Sequence, residues 1–337
     1  MNARRVWIVG AGKRVRETAL PAFLSLPGRI EVAGVYARGA RELEAAGRRF
    51  AIRALSDARA ADFGTGDVVY VAVGKDAVPA VLERLAQFDR ARLELLIDTP
   101  VLKIKHVRHA HLLEGWKRAG VAEDVVHLPW FETVRAAVGD VRNVTFEHSA
   151  YAYHGVAQAK ALCGARVVCA RRVKLGQGAA RREVELDGGR RAAVIEPRDY
   201  AHGRVIVEGL GGRLTDRLEA GEAGAVLAPI LEQGTCVGFR AGDVTTRLAP
   251  EEIALLGPDA PGASVIARME SMKRVAFRRL AAEVAAGRGG YPIEDGLEDM
   301  AVDWFLERFG RWSAGGLRDL RRPAARRLWS GIGRLAR

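Results

Sequence analysis

The first 130 residues alternate short apolar runs with segments of helical pattern. Apolar runs predict strands at residues 6–9, 31–36, 67–73, 93–97 and 125–128. The segments between them predict helices at residues 17–26, 41–50, 78–87 and 105–119. Such alternation indicates a parallel, doubly wound sheet, because parallel strands require crossover connections. A sheet of this kind binds ligands at the carboxyl ends of its strands.

The pattern changes after about residue 130. Strand-like segments now follow one another, at residues 141–148, 165–175, 182–186, 192–195, 204–208, 225–230 and 236–239. Asp187-Gly188-Gly189 predicts a hairpin turn. Helical patterns at residues 264–286 and 295–309 come last. We therefore predict a Rossmann domain at residues 1–130, an α+β domain with an open, mostly antiparallel sheet at 131–315, and a basic tail at 316–337.

The first predicted strand ends in a glycine-rich turn, Gly10-Ala11-Gly12, and a helical pattern follows. Gly10 permits a tight turn, and Gly12 lets the backbone approach a pyrophosphate at the positive end of the helix. Val15 stands where a third glycine is usual. This context predicts a dinucleotide site. The alternative is an ordinary strand–helix turn.

The end of the second predicted strand indicates which dinucleotide binds. An acidic residue there would hold the ribose hydroxyls of NAD. The sequence instead has Ala37 followed by Arg38, and an arginine pairs well with a 2′-phosphate. Lys13 and Arg14 add positive charge nearby. We therefore predict NADP as the cofactor; the alternative is that Arg38 is a solvated loop residue.

Three further segments carry a resemblance to a known family. They are Asp67-Val68-Val69-Tyr70-Val71-Ala72-Val73, Ile97-Asp98-Thr99-Pro100 and Val138-Gly139-Asp140-Val141-Arg142-Asn143-Val144. With the opening turn and the order of elements, they resemble the Gfo/Idh/MocA oxidoreductases. The resemblance implies hydride transfer between a nicotinamide cofactor and a small-molecule substrate. It places the cofactor against the glycine turn and against Val73, Gly74, Asp98, Thr99 and Pro100.

The chain departs from the motifs of this family. Thr99 stands where its sugar dehydrogenases have a lysine, and Gly74 stands where they have a proline. Counting back from Gly164 places His154 on the family histidine and Ala150 on its aspartate. Biliverdin reductases resemble the family and also lack the lysine. The alternative to an enzyme is therefore a non-catalytic, nucleotide-binding or regulatory protein of the same fold.

The candidate catalytic groups lie at a strand–helix junction. His154 can donate or accept a proton near neutral pH, and Tyr151 or Tyr153 can donate one. Thr99 is the fourth candidate, by position. The alternative is that these side chains only pack. Lys103 or Lys105, which follow Pro100 closely, could replace the missing lysine. The alternative is that both lie on a polar face of the next segment.

Composition restricts the partners. The chain has 53 Lys plus Arg and 41 Asp plus Glu, a formal charge of +12. Abundant Arg, Ala and Gly are typical of GC-rich bacterial genomes. No apolar run spans a membrane and no signal peptide is seen, so a cytoplasmic protein is expected. We expect a homo-oligomer formed through the second sheet, no nucleic acid and no metal. The tail is expected to dock on its own protein or a partner subunit; a membrane surface is the alternative.

Overall fold

The computed structural model describes residues 3–176, 178–256 and 264–335. The chain forms two compact units. The first consists of residues 1–124, 277–300 and 320–337, and the second of residues 125–276 and 301–319.

The first unit contains a mixed sheet around a parallel core. Its strands are β1 (Arg4–Val9), β2 (Ile30–Ala37), β3 (Arg41–Ala45), β4 (Arg48–Ala54), β5 (Val68–Val71), β6 (Glu94–Asp98), β7 (Arg118–Ala122) and β17 (Tyr291–Pro292). Their order is β17-β7-β6-β5-β1-β2-β4-β3. Strands β1, β2, β4, β5, β6 and β7 run parallel. The strand order reverses at β1, which confirms the predicted Rossmann-type sheet.

The helix predicted at residues 41–50 is wrong, because this segment forms the β3–β4 hairpin. Ala46 and Gly47 both have positive φ, 50° and 69°, as in a two-residue hairpin turn. Leu43 and Ala45 are buried at a spacing of two. The segment consists of good helix formers, but pairing of β4 with the edge of β2 outweighs that weak local preference.

Two further predictions near the end of the sheet are wrong. Residues 105–119 do not form one α-helix: a 3₁₀ segment, Ile104–Leu113, precedes β7. Val107, Ala110 and Leu113 are buried at every third position, the repeat of a 3₁₀ helix. The strand predicted at 125–128 is a 3₁₀ turn, Asp124–His127. Strand β17 pairs with β7 at that edge of the sheet instead.

Helices complete the first unit. A π-helical turn, Val15–Ala19, leads into α1 (Leu20–Leu24), and α2 (Val78–Leu85) follows β5. The second half of a long helix, Met269–Ala285, and the first half of another, Ile293–Phe309, also belong to this unit. Phe277 packs edge-on against Phe23 and Tyr70, with ring centroids 5.5 and 5.6 Å away.

The second unit contains an open sheet. Its strands are β8 (Val141–Glu147), β9 (Val167–Gly176), β10 (Ala179–Leu186), β11 (Arg191–Glu196), β12 (Arg204–Gly209), β13 (Gly212–Thr215), β14 (Ala225–Glu232), β15 (Thr235–Ala241), β16 (Val244–Arg247) and β18 (Arg311–Ser313). Their order is β16-β15-β14-β13-β12-β8-β11-β10-β9-β18. Only β8–β11 and β13–β14 pair in parallel within the described ranges, which confirms the predicted, mostly antiparallel sheet.

Among the described residues, three α-helices lie wholly in the second unit: α3 (Phe131–Val138), α4 (Ala152–Cys163) and α5 (Pro250–Leu256). Two long helices, α6 (Met269–Ala285) and α7 (Ile293–Phe309), each contribute residues to both units. The turn predicted at Asp187-Gly188-Gly189 is confirmed, since it joins β10 to β11. Helix α4 lies close to β11, because a Cβ on Gly155 would be 2.5 Å from Val194 Cγ2.

The basic tail forms a helix, α8 (Pro323–Leu335), and docks on its own unit. Pro323 occupies the first position, where its missing N–H costs nothing. Leu320 is fully buried. Arg321 lies 2.6 Å from the Glu298 carboxylate, and Arg326 lies 3.2 Å from Glu114. None of the described helices is long and apolar enough to cross a membrane.

Candidate active site

The carboxyl ends of the parallel strands bring six chain segments to one edge of the first sheet. They are the segments after β1, β2, β4, β5, β6 and β7. The sequence-predicted cofactor residues all belong to the ends of β1, β2, β5 and β6 or the turns that follow them: Gly10, Ala11, Gly12, Lys13, Arg14, Arg38, Val73, Gly74, Asp98, Thr99 and Pro100. The first unit therefore places them along a single edge.

The glycines of the first turn have different surroundings. Gly10 has φ +130°, and an added Cβ would lie 2.0 Å from the Ala72 carbonyl oxygen. Its N–H donates to the Tyr36 carbonyl at 2.7 Å. A Cβ on Gly12 would meet nothing within 4 Å, and the same holds for Gly74. Packing thus requires glycine at position 10, while the backbone at 12 and 74 borders open space that a cofactor can fill.

Basic side chains surround the turns after β1 and β2. Arg38 follows β2 directly and is exposed; no residue in the described part of the chain pairs with it. Lys13 is 82% exposed and lies 3.7 Å from Glu17. Arg41, which was not predicted from the sequence, donates to the Ala11 carbonyl at 3.3 Å. Arg41 begins the hairpin that was predicted as a helix, so its proximity to the glycine turn had no local signal.

Arg14 is directed elsewhere. Its Nε lies 3.3 Å from the Asp98 carboxylate and its Nη1 lies 2.9 Å from the Asp124 carboxylate. The guanidinium also stacks 5.0 Å from the centroid of Phe277. Burial lowers the pKa of Arg14, but Asp124 and Asp98 outweigh burial and raise it well above its usual value. Arg14 therefore neutralises carboxylates of the edge rather than extending the exposed basic group.

The turns after β5 and β6 meet through a lysine that was not predicted from the sequence. Lys75 Nζ donates to the Asp98 carbonyl at 2.8 Å. Thr99 is half-buried beside that carbonyl, and its peptide bond to Pro100 is cis. The available sequence signal was a lysine placed just after a glycine at the end of a buried strand.

The two lysines that were candidates from the sequence bind a different group. Lys103 and Lys105 lie 2.5 and 2.8 Å from the Asp76 carboxylate. Their side chains are 44% and 60% exposed. Lys103 and Lys105 therefore form part of the polar surface of their segment and do not replace the missing lysine.

The second unit brings three of the four sequence-predicted catalytic side chains together, while Thr99 belongs to the first unit. The rings of Tyr153 and His154 lie 4.2 Å apart, and Tyr151 lies 6.2 Å from His154. Tyr151 is 43% exposed, and Tyr153 and His154 are half-buried. All three belong to the start of α4 or the residue before it. Ala150, at the position of the family aspartate, is buried.

A cationic group that was not predicted from the sequence lies beside these rings. The guanidinium of Arg198 lies 4.0 Å from the centroid of Tyr151 and 4.6 Å from that of Tyr200. Lys273 Nζ lies 5.1 Å from the Tyr200 ring. The exposed Glu270 carboxylate lies 3.5 Å from Arg198 and 3.3 Å from Lys273. Two cations thus share one exposed carboxylate.

The cysteines, His106, His109 and Lys160 are not among the sequence-predicted catalytic or cofactor residues. Among the described residues, Cys163, Cys169 and Cys236 form no disulfide, and no group of three His, Cys, Asp or Glu could bind a metal. His106 and His109 contact Asp76 and Glu83. Lys160 is buried on α4.

No protein-family model and no curated protein matches the sequence. Solved structures do match in fold. A putative myo-inositol dehydrogenase from Sinorhizobium meliloti 1021 is 17% identical, with 92% of this chain and 99% of that chain covered and a TM-score of 0.58. The chain has the fold of these dehydrogenases.

Two further structures carry bound molecules. A levoglucosan dehydrogenase in complex with NADH and levoglucosan is 11% identical, covers 94% of this chain and 100% of its own, and gives a TM-score of 0.61. The scyllo-inositol dehydrogenase of Lactobacillus casei, with NAD(H) and scyllo-inositol, has the same identity and coverages and a TM-score of 0.58. The fold is therefore the one that the resemblance to the Gfo/Idh/MocA family implied.

Proposed function

We propose that this protein is an NADP-dependent oxidoreductase that transfers a hydride to or from a small-molecule carbonyl, imine or conjugated double bond. The main support for this proposal is the turn after β1, where Ala72 closes in Gly10 and Gly12 borders open space. That arrangement lets the backbone approach a pyrophosphate at the point where the strand order reverses. Structures of the same fold hold NADH or NAD(H), which supports a dinucleotide here.

The preference for NADP is proposed from the charges near β2. Arg38, Arg41 and Lys13 lie on the turns after β1 and β2 or on the strand that follows. No acidic residue follows the last residue of β2, where one would bind the ribose hydroxyls of NAD. A guanidinium there provides charge-assisted hydrogen bonds to a 2′-phosphate.

The cofactor, when bound, supplies the hydride, and the protein handles one proton. His154 is the proposed proton donor or acceptor, with Tyr151 and Tyr153 beside it. Arg198 and Lys273 add positive charge to the same surface of the second unit. A carboxylate or phosphate on the substrate would match that charge.

Cofactor binding tests the proposal first. The dissociation constants of NADPH and NADH are compared by fluorescence titration for the wild type and Arg38→Ala. The control is Arg48→Ala, because Arg48 is exposed at the opposite, amino end of β4. Loss of the 2′-phosphate contact should weaken NADPH by roughly 1–3 kcal/mol and leave NADH unchanged. Equal affinity of the wild type for both cofactors would contradict the NADP assignment.

Turnover tests the second half of the proposal. Oxidation of NADPH is screened over carbonyl compounds, with carboxylated or phosphorylated members set against neutral polyol-derived ones. With a substrate in hand, His154→Gln should lower turnover by roughly 10²–10⁴-fold and remove one limb of the pH profile. A folded variant with normal turnover would show that His154 only packs. NADPH binding without any turnover would favour the non-catalytic alternative, which the Thr99 and Ala150 replacements support.

A further inference from the structure

Lys75 lies at the junction of two neighbouring strands of the first unit. It follows β5, and its Nζ donates to the carbonyl of Asp98, the last residue of β6. The side chain is half-buried, so part of it remains accessible. The ammonium is thus held beside Thr99, at the carboxyl edge that carries the glycine turn.

The two halves of a bound dinucleotide would lie on opposite sides of β1. The pyrophosphate occupies the turn after β1, and the adenosine ribose lies at the end of the next strand, β2. The nicotinamide half must then extend over the strands on the other side, β5 and β6. Lys75 is the lysine that joins the ends of these two strands.

Burial and nearby charges act on the pKa of Lys75 in opposite directions. Burial lowers its pKa, the Asp98 carboxylate opposes this, Arg14 lowers the pKa further, and Glu123 raises it. The net direction is downward. A lysine in this setting keeps a hydrogen-bonding ammonium but releases its proton more readily than a solvated lysine.

We propose that Lys75 contacts the nicotinamide half of the cofactor and the substrate oxygen that reacts there, in the role left vacant by Thr99. This rests on the proposed function. In reduction of a carbonyl, the hydride brings two electrons to the carbon, the π pair moves to oxygen, and that oxygen takes a proton from a general acid. The Lys75 ammonium donates a hydrogen bond to the oxygen while its negative charge develops.

Differential labelling tests the placement without a known substrate. Low-extent acetylation of the intact protein is followed by mass spectrometry with no ligand, with NADP⁺ or with adenosine 2′,5′-bisphosphate, which fills only the adenosine half. NADP⁺ should slow acetylation of Lys75, and the bisphosphate should leave it unchanged. Lys103, held by Asp76, is the internal control and should respond to neither ligand.

Substitution provides a second measurement. Lys75→Met should weaken NADP⁺ but not the bisphosphate, and should lower kcat/KM roughly ten- to hundredfold, mainly through kcat. Lys103→Met should change neither. Protection of Lys75 by both ligands or by neither, or an unchanged kcat in the Lys75→Met variant, would overturn the proposal while leaving the proposed function intact. If the wild type binds neither ligand, the proposed function fails and this inference fails with it.

Discussion

Alanine at the two glycines of the first turn should separate folding from cofactor binding. Both positions lie in Gly10-Ala11-Gly12, and both substitutions add one methyl group. At Gly10 the methyl would lie 2.0 Å from the Ala72 carbonyl oxygen, and at Gly12 it would meet nothing within 4 Å. The structure therefore predicts opposite phenotypes from the same chemical change.

The cost at Gly10 has two sources. Its φ of +130° lies in a region that side chains rarely adopt, which costs about 1–3 kcal/mol. Relief of the overlap with Ala72 requires a shift of backbone, for which overpacking costs of about 1–3 kcal/mol are usual. Gly10→Ala should therefore lower the free energy of unfolding by roughly 2–6 kcal/mol.

Gly12→Ala should leave the fold intact. Gly12 does not have a positive φ and borders open space, so alanine is compatible there and stabilises by about 0.4–1 kcal/mol through the unfolded chain. The methyl should instead hold a pyrophosphate away from the backbone. Loss of even one hydrogen bond to a charged group costs about 1.5–3 kcal/mol, which is roughly ten- to hundredfold in NADPH affinity.

Urea unfolding and NADPH fluorescence titration on both variants provide the comparison. Gly74→Ala, also in open space, on the turn after β5, is a control for the unfolding measurement alone and should be as stable as Gly12→Ala. The explanation is refuted if Gly12→Ala binds NADPH as tightly as the wild type. It is also refuted if Gly10→Ala is as stable as Gly12→Ala, because the two sites would then be equivalent.

Two further perturbations follow from ion pairs in the first unit. Burial raises the pKa of Asp62, but hydrogen bonds led by that of Arg53 outweigh it and lower the pKa from 3.8 to about 2. The Asp62 carboxylate thus stabilises the fold above about pH 4, and this contribution is lost as pH falls toward 2. The difference in the free energy of urea unfolding between wild type and Asp62→Asn should therefore narrow as the pH falls over that range. A difference that stays constant would contradict this prediction. Arg321→Met leaves the fully buried Glu298 carboxylate without this partner and should cost on the order of 3 kcal/mol in urea unfolding. Arg327→Met, exposed on the following helix α8, should cost little, and equal losses for the two arginines would refute a stabilising role for the docked tail.

The sheet architecture could be predicted because its signals are local. Buried parallel strands such as β5 and β6 appear as continuous apolar runs, and a glycine turn after the first run fixes the start of the fold. The hairpin at residues 41–54 could not be predicted in this way. Its residues favour a helix in isolation, and only pairing with β2 makes them strands.

The residues of the candidate site show the same difference between local and long-range sequence signals. The exposed Arg38 lies where the strand pattern places it. The pairing of Arg14 with Asp124 depends on a residue far away in sequence, so local reasoning assigned Arg14 to the phosphates. Lys75 could not be linked to Thr99 from the sequence, because the two residues are far apart along the chain and come close only through the pairing of β5 with β6.

The distribution of charge along the carboxyl edge of the first sheet bears on how a bound dinucleotide would be oriented. On the β1–β2 side, Lys13, Arg38 and Arg41 are exposed. On the β5–β7 side, the cations Arg14 and Lys75 are surrounded by carboxylates, with Asp98 and Asp124 binding Arg14. An edge with exposed positive charge on one side and balanced charge on the other favours a ligand with more negative charge at one end. NADP has that asymmetry, since its 2′-phosphate adds negative charge to the adenosine half, its pyrophosphate joins the two halves, and its nicotinamide ring carries no anion. The proposed preference for NADP and the proposed contact between Lys75 and the nicotinamide half therefore rest on the same charge distribution.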